Sequence, residues 1–485
     1  WMKEMQDYLG VNLDITWNNI NYREWGDITN VYMASGEFDD VFIARDLYQI
    51  TDLGKAGLLV ELSQYSNITP YYNKWLDSNN NKAKIILDGE HYYQFAEGEQ
   101  GFHWGNQQVP IYRQDAFEAN GIKIPETQDE FYEAAKRIKE IYPESYPIGS
   151  GISSGDNNYN AASMFFLVNK TFRTFYYDGE NYVFPPVDNK EAYYKTLEFG
   201  NKLYTEGLLD PEYRTHTGDQ GIEYMLNGRH FMVPGFWTGE SGRVNNAGVD
   251  TNVKWAYAPR PLSYKGELGW KPGSQWEGYK LLGGSGSVIS SKSKYIELLV
   301  KMLDYQYSDE MVSLVNWGIE GITYNIVDGK KQFIDEILDN PAPRSAIEPY
   351  GMITSATNFT GIRAPDERQA WSGVFKQIPV FAEGKFFFYP DIWKFTNDYE
   401  RGHDSVFPNE IAPPINLTTD EMDQRANIVT PLETEINEAV MSFVSGRKSL
   451  AEFDAWVDSL KNIADYEALK AMYNEKYDAA ESAAQ

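Results

Sequence analysis

The hydrophobic pattern of the first sixty residues changes period twice. Val41, Phe42, Ile43 and Ala44 form an unbroken apolar run, as expected for a strand buried on both faces of a parallel sheet. Leu47, Ile50 and Leu53 then recur at helical spacing, Gly57 is placed to stop the helix, and Leu58 to Leu62 resumes an apolar run. Arg45 and Asp46 fall between strand and helix. Ligands of open α/β sheets bind beyond the carboxyl ends of strands, so this pair is a candidate site. The alternative is a solvated pair capping the helix.

The alternation continues. Val109 to Tyr112 reads as a strand passing into Arg113, and Thr127 to Glu130 as a capping box ahead of a helix whose apolar face is Phe131, Ala134, Ala135, Ile138 and Ile141. A second helix carries Leu197, Leu203 and Tyr204 and stops at Gly207. Met225 to Gly239 reads as helix, turn, short strand and exposed loop, with Trp237 following the Pro234-Gly235 break. Val253 to Ala258 alternates like a strand. Residues 259–287, rich in Pro, Gly and Trp, read as a long crossing loop before Val288 and Ile289 restart a strand. Within it, Gly283 to Ser287 is expected to be a hinge or turn, since it lacks the Lys-Ser/Thr ending of a phosphate loop. Residues 340–417 have weak periodicity and read as an insertion or third crossover. The last seventy residues read as helices opened by two further capping boxes, Thr418 to Glu421 and Ser449 to Glu452, with Gly446 between them as a stop.

Length and composition add limits. A chain of 485 residues predicts two or three domains. Forty-three basic against 71 acidic residues give a net charge of -28, which opposes nucleic acid and anionic lipid as partners. There are no cysteines and five histidines, and no zinc-binding helix or calcium loop motif, so neither a metal nor a cofactor is expected. Asp156-Asn157-Asn158 and Asp178 to Asn181 carry oxygens suited to calcium but fit Asx turns better. The chain has no membrane-length apolar run and opens at Trp1 without a signal sequence, so an upstream segment is expected to have been removed or left out. Nothing selects a glycosidase carboxylate pair among so many acids.

The positive signal is for binding. Aromatic residues make up 15% of the chain, including 35 Tyr and 13 Trp. A ring face packs on the apolar face of a pyranose while Asp, Asn, Gln and Arg take its hydroxyl bonds. Trp371, Phe375 and Trp456 lie at helical spacing and are assigned to packing. Trp237, and with less local support Trp104, Asn106 and Trp276, are candidates for a pocket.

Several phrases resemble the extracellular solute-binding proteins of bacterial ABC importers, in particular the long lipoprotein branch that handles oligosaccharides. They are Tyr32 to Phe42, Leu203 to Glu212, Asn316 to Gly321, Met441 to Gly446 and Glu452 to Val457. The resemblance implies an α/β, two-lobed periplasmic-binding-protein-like fold of type II, with mixed sheets flanked by helices and a helical C-terminal cap. The implied lobes are 1–110 plus about 285–345, and 111–284 plus about 346–485, with crossovers near 109–113, 259–287 and 340–355. Closure about a hinge would hold the ligand between them, with no catalysis. Arg45 and Asp46 would meet sugar hydroxyls, Trp237 would stack on a ring, and Asn157, Asn158 and Tyr159 would supply a further contact. The implied partners are an oligosaccharide and the membrane permease, the chain being a monomer outside the cell, anchored by a lipid on a Cys that precedes this sequence. A secreted glycoside-active enzyme, and a peptide or acidic-sugar binder, are the alternatives.

Overall fold

Two compact units divide the chain: Trp1–Phe102, Gly278–Lys376 and Asn416–Met422 form the first, and His103–Glu277, Gln377–Ile415 and Asp423–Gln485 the second. The computed structural model describes residues 1–18, 31–32, 35–44, 47–78, 81–86, 90–99, 108–149, 175–177, 181–213, 215–216, 218–237, 244, 253–258, 281–338, 350, 362–363, 378–382, 385–389 and 417–484. The strands among them are β1 (Val41–Ala44), β2 (Gln94–Glu99), β3 (Gln108–Arg113), β4 (Tyr176–Tyr177), β5 (Tyr182–Val183), β6 (Met232–Trp237), β7 (Trp255–Tyr257), β8 (Leu281–Ile289), β9 (Tyr324–Val327), β10 (Lys330–Phe333), β11 (Ile362–Arg363), β12 (Ile378–Ala382) and β13 (Lys385–Tyr389).

In the first unit the sheet order is β1-β8-β2-β11. β8 runs antiparallel to both neighbours, while β11 is parallel to β2. This corrects the parallel setting expected for β1. Its apolar run is explained by packing on both faces: Phe42 and Ala44 join Ile50, Leu59, Tyr93 and Val288, while Val41 packs against a larger core containing Tyr72, Trp75, Phe95 and Leu303. Gly283 to Ser287 is a second correction, lying inside β8 instead of forming a turn. Pairing on both sides of Gly286 holds it extended, and a Cβ there would stand 2.7 Å from the Phe95 carbonyl oxygen, so only glycine fits. The apolar stretch from Leu58 gives a single bridge, Leu59 to Ser290, before the 3-10 helix Leu62–Ile68.

Tyr72 ties this unit together. Its hydroxyl donates to the Gln94 carbonyl at 2.8 Å and accepts from the Ala96 N–H at 3.0 Å. Its own N–H donates to Asp304 Oδ1 at 2.7 Å, joining the helix Pro70–Leu76 to the helix Ile296–Tyr305. Tyr305 in turn stacks on Tyr8 of the helix Met2–Leu9 at 3.8 Å.

In the second unit the order is β13-β12-β7-β3-β6, with β6, β7 and β12 running one way and β3 and β13 the other. Residues 340–417 therefore supply strands to both units: β11 to the first sheet, β12 and β13 to the second. β6 continues through Pro234 and Gly235 to Trp237, where the sequence pattern predicts an exposed loop. β6 is the outer strand of this order, and a register shift between Val109 and Ile111 takes up the irregularity, the setting in which a strand tolerates proline. The helix Gln128–Ile141 carries half of its expected box: the Thr127 side chain accepts from the Glu130 N–H at 3.2 Å, but the Glu130 carboxylate takes the Glu126 N–H instead. Gly207, at φ 68°, closes the helix Lys190–Thr205 in the left-handed region that favours glycine. At the chain end Thr418 and Glu421 exchange bonds, Ser449 and Glu452 form a complete box, and Trp456 is buried beside Phe443 and Phe453.

Candidate functional site

Strand direction fixes where each sheet presents its loops. In the first unit β1, β2 and β11 end on one edge, where β8 begins. Ala44, opposite Gly286, is the last residue of β1 at this edge. Glu99 ends β2 in register with Arg363 of β11.

The second sheet repeats the arrangement. β6, β7 and β12 end on the edge where β3 begins, and Gln108 is in register with Trp237. The main chain thus sets Trp237 opposite Gln108, the first residue of β3. Loops beyond the carboxyl ends of strands are where an α/β fold gathers ligand-binding side chains. Of the residues singled out in the sequence, only Trp237 is described, and by its main chain alone. Arg45, Asp46, Trp104, Asn106, Asn157, Asn158, Tyr159 and Trp276 lie outside the described residues, as do Asp156, Trp371 and Phe375. The edge positions of Gln108, Glu99 and Arg363 had no sequence signal, because register between distant strands leaves none.

A dense polar cluster in the second unit is set away from this edge. Ile148 bridges both Leu209 and Met232, which brings Asp210 and His230 together. Asp210 Oδ2 lies 2.7 Å from His230 Nε2 and 2.7 Å from Arg229 Nε, while Oδ1 accepts from Arg229 NH2 at 2.9 Å and the Glu212 N–H at 2.8 Å. Burial pushes the Asp210 carboxyl up, but the bonds from His230 and Arg229 outweigh it and hold the group well below the usual carboxylate range. Burial pushes His230 down against the pull of Asp210, so its neutral ring donates from Nε2. Both residues are fully buried, and His230 stands just before the amino end of β6, roughly 23 Å of extended chain from Trp237. A reactant has no access to them, so the cluster joins strand to helix. Among the described residues no group of three or more His, Cys, Asp or Glu is placed to hold a metal ion, and no helix is long and apolar enough to cross a membrane.

Known proteins share this arrangement. Alginate-binding protein AlgQ2, in a crystal structure without calcium ion, superposes with a TM-score of 0.72 at 21% identity, covering 98% of this chain and 93% of that one. That likeness establishes the two-lobed type II periplasmic-binding fold, with mixed sheets and a helical C-terminal region. Lipoprotein LipO of Bacillus subtilis (strain 168) is 22% identical over 358 residues, 68% of this chain and 64% of LipO, so the chain spans less than two thirds of that relative's length. The fructooligosaccharide ABC transporter substrate-binding protein FusA of Streptococcus pneumoniae serotype 4 (strain ATCC BAA-334 / TIGR4) is 23% identical over 502 residues, covering 99% of this chain and 87% of FusA. The sequence profile described as "Bacterial extracellular solute-binding protein" matches residues 1–312, and the chain belongs to that family.

Proposed function

We propose that this chain is the substrate-capturing component of an ABC importer, which binds an oligosaccharide outside the cell and delivers it unchanged to a membrane permease. The observation that carries the reading is the match to FusA along 99% of the chain. It is supported by the strand directions: β1 ends on Ala44, the residue before Arg45 in the chain, and β6 ends on Trp237, each at the carboxyl edge of its sheet. In this reading Trp237, Trp104 and Trp276 stack on sugar rings, Arg45, Asp46 and Asn106 bond hydroxyls, and Asn157, Asn158 and Tyr159 supply a further, aromatic contact. The chain acts as a monomer, held to the outer face of the cytoplasmic membrane by a lipid on an upstream Cys, and does no chemistry on its cargo.

A thermal-shift screen with neutral oligosaccharides, acidic oligosaccharides and peptides tests this. A ligand at one hundred times its dissociation constant adds about 2.7 kcal/mol, which raises the melting point by several degrees. A shift with neutral oligosaccharides, and recovery of the same sugar intact, is the expected result. Cleaved sugar would transfer the chain to the glycoside-active enzymes, and a shift only with peptides or acidic sugars would replace the ligand class.

A further inference from the structure

We propose that His230 is a proton-operated latch on the stretch 146–149 of the second unit. A neutral ring holds Gly149 in place beside β6, and protonation of the ring releases it while the rest of the unit stays folded.

Main-chain bonds on both sides insert this stretch into the unit. Toward β6, the Tyr146 N–H donates to the Arg229 carbonyl at 2.9 Å, the Phe231 and Met232 N–H groups both donate to the Pro147 carbonyl, and the Gly149 N–H donates to the Met232 carbonyl at 3.0 Å. On the far side, the Ile148 N–H donates to Leu208 at 2.9 Å and the Asp210 N–H donates to Ile148 at 3.0 Å.

His230 lies under this stretch. A Cβ on Gly149 would stand 2.3 Å from Nδ1 of the ring and 2.6 and 2.7 Å from Cγ and Cε1, the two atoms that flank it. Such short and nearly equal distances put that position over the ring face, so the imidazole occupies the place of a side chain and the main chain of Gly149 covers it. The ring is fully buried, with Nε2 2.7 Å from Asp210 Oδ2 and no hydrogen-bond partner for Nδ1 among the described residues. A neutral ring meets these conditions by donating from Nε2 and leaving one bare acceptor. Protonation adds an N–H at Nδ1 with nothing to receive it, together with a charge shut off from water.

The groups around the ring do little to absorb that charge. Asp210 attracts it, but the same carboxylate already takes two bonds from Arg229 and one from the Glu212 N–H. Arg229 and His216, whose ring centroid is 6.0 Å away, oppose a further positive charge. Tyr224 stands edge-on at 5.3 Å with its hydroxyl given to Glu212, which also holds Arg229. The covering stretch brings the Tyr146 ring, itself under the Arg229 guanidinium, and no charge. The imidazolium reaches water by turning out from beneath Gly149, which breaks the bond to Met232. Local opening of this kind needs less free energy than unfolding the unit.

The test reads amide exchange in the full chain at pH 7.5 and pH 5.5, as the protection of each amide relative to an unstructured peptide at the same pH. In the wild type we expect protection at Gly149 and Asp210 to fall at least tenfold more than at Ala258, whose N–H is bonded to the Pro110 carbonyl of β3. His230→Gln keeps an N–H for Asp210 and does not titrate, so it is expected to show no such difference. If that variant does not fold, the wild type decides alone, because the loss must then follow the titration of the His230 ring read by NMR. Equal losses at Gly149 and Ala258, or no loss at either, overturn the latch. So does a loss that persists in His230→Gln or departs from the titration of the ring.

Discussion

Arg229 grips Asp210 with both arms of its guanidinium, Nε to Oδ2 at 2.7 Å and NH2 to Oδ1 at 2.9 Å, while its face lies 4.3 Å from the Tyr224 ring centroid. The fork matches a carboxylate in a way a lysine ammonium does not. Asp210 is fully buried, so removing its cation leaves an uncompensated charge inside the second unit. Breaking a buried pair in this way costs about 3 to 5 kcal/mol. Arg229→Met is expected to lower the urea midpoint by an amount of that order, and Arg229→Lys to recover only part of it. An Arg229→Lys variant as stable as the wild type would show that charge alone matters at this position.

The same cluster sets an acid limit. Asp210 titrates below its unfolded value, so its contribution is complete above about pH 4 and is lost as pH falls toward its folded value. His230 is also depressed, so the unfolded chain binds its proton first and stability falls as pH drops below about 6.5. Replacing His230 by Gln keeps a side-chain N–H for Asp210 and removes the titration. That variant is expected to show a flatter stability profile between pH 6.5 and pH 5, measured by urea unfolding.

Asp304 works in the opposite direction. Burial pushes its carboxyl up to about 7, against the pull of the Tyr72 and Tyr71 N–H groups. A carboxyl raised in the folded state binds its proton there while the unfolded chain has released it, so stability falls as pH rises from about 4 to 7 and then levels. Asp304→Asn retains an oxygen for the Tyr72 N–H and carries no charge. It is expected to be more stable than the wild type at pH 8, because burial disfavours the ionised carboxyl there and Asn carries no charge. The advantage should shrink toward pH 4. A constant difference across that range would assign the effect to packing.

Local chemistry accounts for what the sequence made legible. Gly207 and Gly446 stop helices because the left-handed backbone there suits glycine, and both have positive φ. The Ser449 box and the buried face from Phe131 to Ile138 follow from spacing within one or two turns. Direction and register escaped. Val41 to Ala44 reads the same whether its neighbour is parallel or antiparallel, and the neighbour is β8, far along the chain. Gly283 to Ser287 looks like a turn because glycine is weak in isolated strands, but pairing of Gly286 and Ser287 with β1 and β2 from both sides holds the stretch within β8. At the candidate site, residue type pointed to Trp237, whereas its position across from Gln108 exists only once β3 and β6 have paired.

The Ser449 cap offers a local test of the helical end. Its side chain accepts from the Ala451 N–H at 3.3 Å, and its own N–H donates to the Glu452 carboxylate at 3.0 Å. Ser449→Ala removes the first of these bonds and is expected to cost about 1 kcal/mol. Because Phe453 and Trp456 follow directly into the core, the loss should appear in global unfolding, read as a lower urea midpoint at unchanged slope. A slope that also falls would mean that this end unfolds separately.

Trp237 and Trp456 separate recognition from packing. Trp456 is 2% exposed, sits among Phe443, Phe453 and Tyr193, and donates from Nε1 to Glu435 at 3.0 Å. Trp456→Ala is expected to cost about 3 to 5 kcal/mol of stability, the range for an excavated aromatic core, and to leave the affinity of the remaining folded protein unchanged. Trp237 ends β6 at the carboxyl edge, where a platform residue for a sugar should stand. Truncating it to Ala is expected to weaken oligosaccharide binding by about 2 kcal/mol or more, the scale of a central aromatic contact, with a melting point close to that of the wild type. Both variants need titration with the same sugar and a melt without it. If Trp237→Ala binds normally and melts low, its ring belongs to the core, and the stacking platform must be sought in the other aromatics.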